Sequence, residues 1–373
     1  MVTFELTRRA ALKLAGGTIA GSHRRPRRTQ SPDDVLVHVG YETRARRRSL
    51  KRLGKQTIRD FAFNALTLRL SGGEIDRLDD FTGIRYVEPV RPVHALESTL
   101  NYGVDRVDAD IAHDHDETGQ GADIAVVDTG IDNGHDRLDP NLGEGKAFVR
   151  AGWFHFTPWD DDHGHGTHCA GITGACKPNK GVSSESTLHP VKVLNGNGKG
   201  NTDDVAKGIE YVAEQGWDVA NLSFGTEKSE VLADAVKYAE EHGVLLVASA
   251  ADEEQGYPAR EPEVLAVGAT DVDDEVADFS PTDGSVDLLA PGVDVRSTVP
   301  AGFDRRSGTS MASAHVSGVA GLLMADGRTA ADARDRLLET AEDLDHDEDE
   351  QGAGLVDAAR ATGHDSAADL TAD

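Results

Sequence analysis

The chain has 373 residues, with 38 Lys+Arg against 66 Asp+Glu and a formal net charge of −28. That length supports one large hydrophobic core and a small additional domain, and the acidity excludes nucleic acid as a partner, because phosphates are repelled along with the chain's own carboxylates. No apolar run approaches the ~18 residues that a membrane-spanning helix needs, so no membrane span is expected.

The charge is unevenly spread. Residues 1–97 carry 19 Lys+Arg against 11 Asp+Glu, a balance of +8, and the rest of the chain carries −36. Concentrated salt screens such self-repulsion, the Debye length falling to ~3 Å at 1 M, so the composition predicts a salt-requiring, halophilic protein.

In chain order, Thr7-Arg8-Arg9-Ala10-Ala11-Leu12-Lys13 and the weakly apolar stretch from Leu14 to Ala20 have the form of a twin-arginine export signal within residues 1–30. The bland alternative is a helix start with two solvated arginines. The basic run from Ser22 to Arg28 shows no small-residue cleavage site, so the end of the segment stays open, and the expected localisation is secreted.

Residues 31–96 have the pattern of a small α+β unit. Val35, Val37 and Val39 alternate, Thr43 to Gly54 is a basic helix candidate, and Phe61, Phe63, Leu66, Leu68 and Leu70 suggest one half-buried strand. Ile75 and Leu78 give a short helix before Ile84 and Tyr86.

Residues 97–373 alternate strands with helices. Strands are expected at 124–127, 188–194, 218–222, 244–248 and 264–269, and helices near 202–215, 229–242, 309–325 and 330–341, which makes an α/β architecture with a mostly parallel sheet. Ile124 to Val127 is a continuous apolar run, as a strand buried on both faces requires, and it delivers Asp128-Thr129-Gly130 at its carboxyl end, where open α/β sheets place their sites. His165-Gly166-Thr167-His168 opens a Gly/Ala-rich helix after the acidic loop Asp160-Asp161-Asp162, and Gly308-Thr309-Ser310-Met311-Ala312 opens another.

Those three segments carry an aspartate, a histidine and a serine in one of the chain orders used for nucleophilic catalysis by serine. A serine hydroxyl is a weak nucleophile until an imidazole takes its proton. The imidazole in turn needs a buried carboxylate on its other nitrogen to hold one tautomer and to stabilise the imidazolium. Ser310, His165 and Asp128 fit the roles.

With Val191-Lys192-Val193-Leu194, Asn221-Leu222-Ser223-Phe224-Gly225, Tyr257-Pro258-Ala259, Ala290-Pro291-Gly292 and Gly352-Ala353-Gly354-Leu355-Val356 in addition, the chain resembles the subtilisin-like serine proteases over about residues 33 to 362, and among them the secreted enzymes of halophilic archaea. The resemblance implies a three-layer fold preceded by a ferredoxin-like inhibitory propeptide, residues 31–96, which templates folding and is removed by autocleavage between Leu96 and Glu97. It implies protein or peptide substrates, a monomer and the chain's own propeptide as intramolecular inhibitor. By the same resemblance Gly198, Lys199 and Gly200 pair with substrate backbone, Ser223, Phe224, Gly225 and Ala250 to Glu254 wall the pocket for an apolar side chain before the cut, and Gly256 lies at its base.

The chain also departs from that pattern. The position of the family's oxyanion-hole asparagine holds Asp252, which could assist the Ser310 N–H only as a neutral acid, and Glu253 and Glu254 beside it favour that state. Two readings follow, an active endopeptidase or a catalytically weak pseudoenzyme that binds peptides. At the family's strong calcium site stand Arg137 and the short basic loop Cys176 to Gly181, which offer few oxygen ligands, so that site is expected to be absent, while so acidic a surface leaves room for calcium at an unidentified position. Asp160, Asp161 and Asp162 are expected to be solvated or to shape the substrate groove. His113, His115, His163 and His168 show no secure zinc spacing, and no metal ligand is assigned. Ala314 replaces a proline, and Cys169 and Cys176 are expected to be free thiols, Cys169 packed beneath the site.

Overall fold

A computed structural model of the protein describes residues 35–54, 56–89, 101–149, 159–178, 180–251, 256–300 and 302–366. The chain forms two compact units, Met1–Leu96 and Glu97–Asp373.

In the first unit β1 (Val35–Tyr41), α1 (Arg44–Leu53), β2 (Gln56–Phe61), β3 (Ala65–Leu70), α2 (Gly72–Asp76) and β4 (Ile84–Pro89) build a sheet in the order β2-β3-β1-β4. Its pairs are all antiparallel. The Thr43 side chain caps α1 by accepting from the Arg46 amide at 3.2 Å, and Val37, Val39, Leu50, Leu66, Leu68, Leu70 and Leu78 form the core. The single strand expected from Phe61 to Leu70 is instead a hairpin. The apolar alternation changes parity there, from odd at Phe61 and Phe63 to even from Leu66 onward, and Asn64 (φ 58°) turns the chain at that break.

The second unit runs α3 (Tyr102–Arg106), α4 (Ala109–Asp114), β5 (Asp123–Asp128), β6 (Lys146–Ala147), α5 (His165–Gly174), β7 (Thr187–Lys192), α6 (Thr202–Gln215), β8 (Val219–Leu222), α7 (Glu230–Glu241), β9 (Leu245–Ser249), β10 (Val264–Thr270), β11 (Leu288–Pro291), β12 (Val295–Val299), β13 (Gly302–Arg306), α8 (Thr309–Ala325), α9 (Ala330–Glu339), α10 (Glu348–Gln351) and α11 (Ala358–Thr362). Seven strands form one sheet in the order β11-β10-β9-β8-β5-β7-β6, and every pair in it is parallel. The five expected strands and four expected helices of this region all form within two residues of their predicted bounds.

The sheet is covered on both faces, which makes three layers. Ile124, Val126, Val219 and Val247 pack with Cys169, Ile172 and the residues of α8, whereas the alternate positions Ala125, Val127, Ala220 and Leu246 pack with Ile209 and Val212 of α6 and Leu232 and Val236 of α7. Period-two alternation therefore places each strand's two apolar faces in two different cores, which is why the strands appear as unbroken apolar runs. Helix α8 is buried from Met311 through Leu323. A helix apolar on all sides crosses the interior rather than lying on it, and it carries Ser310 into the layer beneath the strand ends. The β12–β13 hairpin is antiparallel and lies outside the main sheet. Among the described residues no helix is long and apolar enough to cross a membrane.

Candidate active site

Asp128 ends β5 wholly buried. Both carboxylate oxygens lie 2.9 Å from Nδ1 of His165, so the ring proton resides on Nδ1 and points at the carboxylate. The Thr129 amide donates to Oδ1 at 2.6 Å, which holds the carboxylate from its other side.

His165 opens α5 against the turn after Asp128. The Gly166 amide donates to Thr129 Oγ1 at 2.9 Å, and a Cβ on Gly166 would lie 2.2 Å from the Gly130 carbonyl oxygen, so only glycine allows this approach. Burial, the largest single influence, pushes the His165 pKa down; the charge and hydrogen bond of Asp128 together outweigh it, and the net shift is upward.

Ser310 stands in the first turn of α8. Its hydroxyl donates to the Ser223 carbonyl at 3.2 Å, while the Ser223 hydroxyl donates back to the Ser310 carbonyl at 3.2 Å. The Asn221 amide donates to Ser223 Oγ at 2.7 Å, and Ser317 donates to Asn221 Oδ1 at 3.0 Å. This buried chain beneath the nucleophile escapes sequence reasoning except through the segment Asn221-Leu222-Ser223. Ala314 sits inside α8 without disturbing it, its carbonyl accepting from Thr173 Oγ1 at 3.0 Å.

The acidic triplet corrects the expectation. Asp161 is buried, and its carboxylate accepts from the amides of His163 (2.9 Å), Gly164 (2.8 Å) and Thr167 (2.9 Å) and from Thr167 Oγ1 (2.6 Å), which caps α5 at its positive end. Asp160 accepts from the Asn133 amide at 3.3 Å, and Asp162 receives the Lys192 ammonium at 2.6 Å. These carboxylates are structural anchors because backbone amides and a buried cation face them.

A groove of about 510 Å³ at His165 is lined by Gly198, Lys199, Gly200, Ser223, Phe224, Gly225 and Thr226 among others. Ala250 and Gly256 stand on either side of residues 252–255, and Thr226, to which Gly256 bridges, lines the groove. Ala250 is buried at the end of β9, where its amide bonds to the Val267 carbonyl, and Gly256 bridges Thr226. Asp252, Glu253 and Glu254 lie outside the described residues, as do Leu96 and Glu97.

The thiols Cys169 and Cys176 are both free. Cys169 is fully buried with Sγ 3.7 Å from the Ser310 carbonyl, and burial raises its pKa well above the ordinary thiol value, so it packs beneath the site as a protonated side chain. Its sulfur lies within 4.8 Å of ligand atoms of Asp128 and His165, a set shared with the imidazole–carboxylate pair itself. At the loop after α5 the Arg137 guanidinium donates to the Lys177 carbonyl at 3.0 Å. A fixed positive charge against that carbonyl does not fit a hard divalent cation. His168 and His315 are buried, and burial lowers both to about 4, so they are neutral core imidazoles.

A family model described as "Subtilase family" matches residues 119–354. M-protease of Shouchella clausii (strain KSM-K16) is 37% identical over 307 residues, covering 80% of this chain and 79% of that protein. Alkaline elastase YaB of Bacillus sp. (strain YaB) is 36% identical over the same coverage. Subtilisin E of Bacillus subtilis (strain 168) is 34% identical over 292 residues, covering 74% and 75%.

Proposed function

The chain belongs to the subtilase family and is a serine endopeptidase, and from that premise we propose that Asp128, His165 and Ser310 are its catalytic triad. The observation that carries this is the buried Asp128 carboxylate with both oxygens 2.9 Å from His165 Nδ1. That contact leaves Nε2 as the nitrogen able to accept a proton.

The reaction then runs as general-base and nucleophilic catalysis. Ser310 Oγ turns from the Ser223 carbonyl toward Nε2, transfers its proton there and attacks the substrate carbonyl. The imidazolium, stabilised by Asp128, returns the proton to the leaving amine, and water repeats the sequence to release the acyl group. Negative charge on the substrate oxygen is met at the start of α8, by the Ser310 backbone N–H and the positive end of the helix. Asp252, as a neutral acid, is the second donor in this proposal.

Gly198 to Gly200 then hold the substrate backbone as an added strand, and Ser223 to Gly225 wall the pocket for an apolar side chain before the cut. We assign residues 1–30 to twin-arginine export and residues 31–96 to an inhibitory propeptide released by cleavage after Leu96. Residues 31–96 carry 12 Lys+Arg against 9 Asp+Glu, a balance of +3, and residues 97–373 carry −37; these opposite charges attract most strongly in dilute salt and least in brine, which supports a salt-dependent enzyme that releases its propeptide in brine.

Hydrolysis of casein and of an apolar chromogenic peptide, from dilute to molar salt and beside Ser310→Ala, tests the proposal. Activity in molar salt that the variant loses is the expected result. Intact-mass analysis should place the mature N-terminus at Glu97; full activity in dilute buffer would remove the salt requirement, and a distant N-terminus would remove the cleavage site.

A further inference from the structure

The acidic triplet leads to a residue that the mechanism above does not use. Lys192 closes β7 directly opposite Asp128 in the parallel ladder, and its side chain is wholly buried. Val191 and Val193 on either side are buried and apolar, so packing alone would be served by a third apolar side chain. An ammonium is held there instead, at a desolvation cost that only close pairing offsets.

Both of its partners belong to the loops that carry the reacting side chains. One is the backbone carbonyl of Thr129, the residue after Asp128. The other is Asp162 Oδ1, at 2.6 Å, three residues before His165. Gly196 provides the room, since a Cβ there would lie 2.8 Å from the Asp162 carboxyl group. Between Asp162 and His165 the chain has no slack, because the amides of His163 and Gly164 are already bound to Asp161. The Asp128 carbonyl, in turn, accepts from the Val193 and Leu194 amides at 2.9 and 3.0 Å.

We propose that Lys192 is a positioning residue of the endopeptidase, its ammonium fastening the Asp128 turn to the loop that delivers His165. The inference rests on the triad assignment made above. Lys192 touches no substrate and no reacting atom; it acts through where it holds two side chains. A misplacement of about 1 Å at a catalytic group costs on the order of 10²-fold in rate, whereas replacing a buried ion pair by apolar residues is often neutral for stability. Positioning and folding are therefore separable by experiment.

The test is steady-state hydrolysis of a chromogenic peptide in molar salt by Lys192→Met, Asp162→Asn, Asp162→Leu and the double variant Lys192→Met/Asp162→Leu, each normalised to folded protein and assayed well below its melting temperature. Lys192→Met should lower kcat by about 10- to 100-fold with KM within about threefold. Asp162→Asn, which keeps an oxygen for the ammonium, should retain most of the kcat that Asp162→Leu loses, and the double variant should be no slower than the worse single one. A kcat within about twofold of wild type in Lys192→Met would overturn the proposal, as would a loss confined to KM or to melting temperature. If Lys192→Met does not fold, the double variant decides by the same criteria. Ser310→Ala keeps the two questions apart: activity equal to wild type defeats the triad and this proposal together, whereas an inert Ser310→Ala beside a fully active Lys192→Met defeats the positioning role alone.

Discussion

Ser310 and Ser223 are hydrogen-bonded to each other in both directions, hydroxyl to carbonyl and carbonyl to hydroxyl, each at 3.2 Å. The first contact directs the nucleophile's proton to a backbone carbonyl, and the second fixes the backbone turn that carries it. Nucleophile and base commonly tighten only once substrate is bound.

Ser223→Ala keeps the carbonyl and removes the hydroxyl, so it isolates the second contact. The Asn221 amide then loses its acceptor in a buried site, and the Ser310 carbonyl loses one side-chain donor while keeping Ser313 Oγ, at 3.1 Å, and the Cys169 thiol. An unmet buried group costs about 1–3 kcal/mol. Chemical denaturation should show a loss of that size, with kcat for an amide substrate reduced about tenfold by the loosened first turn. Unchanged stability and rate would remove the network from any part in the site.

The imidazole's raised pKa sets the acid limb of the pH profile. Activity requires neutral His165, so kcat/KM should climb as pH rises through a value above the ordinary imidazole one. Asp128→Asn removes the charge that outweighs burial, so burial then carries the value downward, and the tautomer is no longer enforced. The limb should move to lower pH while kcat falls by on the order of 10⁴, as in other enzymes of this chemistry. The same pair has a stability signature. A base whose folded pKa is raised adds stability that is complete below its unfolded value and disappears as pH rises through the folded one, so the wild-type protein should gain over Asp128→Asn on the acid side. A limb unmoved by Asp128→Asn would contradict the assignment.

Three other histidines act in the opposite sense. Burial drives His113, His168 and His315 to about 4, so the unfolded chain binds protons on them that the folded chain does not. Their contribution to stability is complete above pH 6.5 and is lost as pH falls from there toward 4, up to about 3 kcal/mol for each imidazole. Unfolding by denaturant across that window should steepen with acidity, and His315→Gln should release about one proton fewer of pH dependence. An equal slope in the variant would show that His315 titrates normally.

How legible the protein is from sequence follows from which forces leave a local trace. Asp128 is legible because a strand buried on both faces must be continuously apolar, and a carboxylate at its end breaks that run. Lys192 breaks the same kind of run, yet the segment Val191 to Leu194 carries no sign of its role, because one lysine between valines also fits a strand with one wet face. The acidic triplet misleads for a related reason: adjacent carboxylates signal solvent until the amides of residues 163, 164 and 167 are known to converge on Asp161. The β12–β13 hairpin is missed because Arg296, Asp304, Arg305 and Arg306 give it the composition of a loop.

The last prediction concerns Asp252, where composition and chemistry disagree most. An ionised carboxylate repels the developing oxyanion and offers it no proton, and loss of an oxyanion donor costs roughly 10²–10³ in kcat. If Asp252 serves as a neutral donor, the activity should fall at alkaline pH as that acid ionises, giving a bell whose acid limb belongs to His165. Asp252→Asn supplies an amide donor at every pH. It should raise kcat by one to two orders of magnitude above neutrality, leave the acid limb in place and abolish the alkaline one. Profiles of both proteins on one peptide in molar salt are sufficient to decide, and a variant slower than wild type across the whole range would show that the carboxylate itself, rather than a missing amide, is what this site is built around.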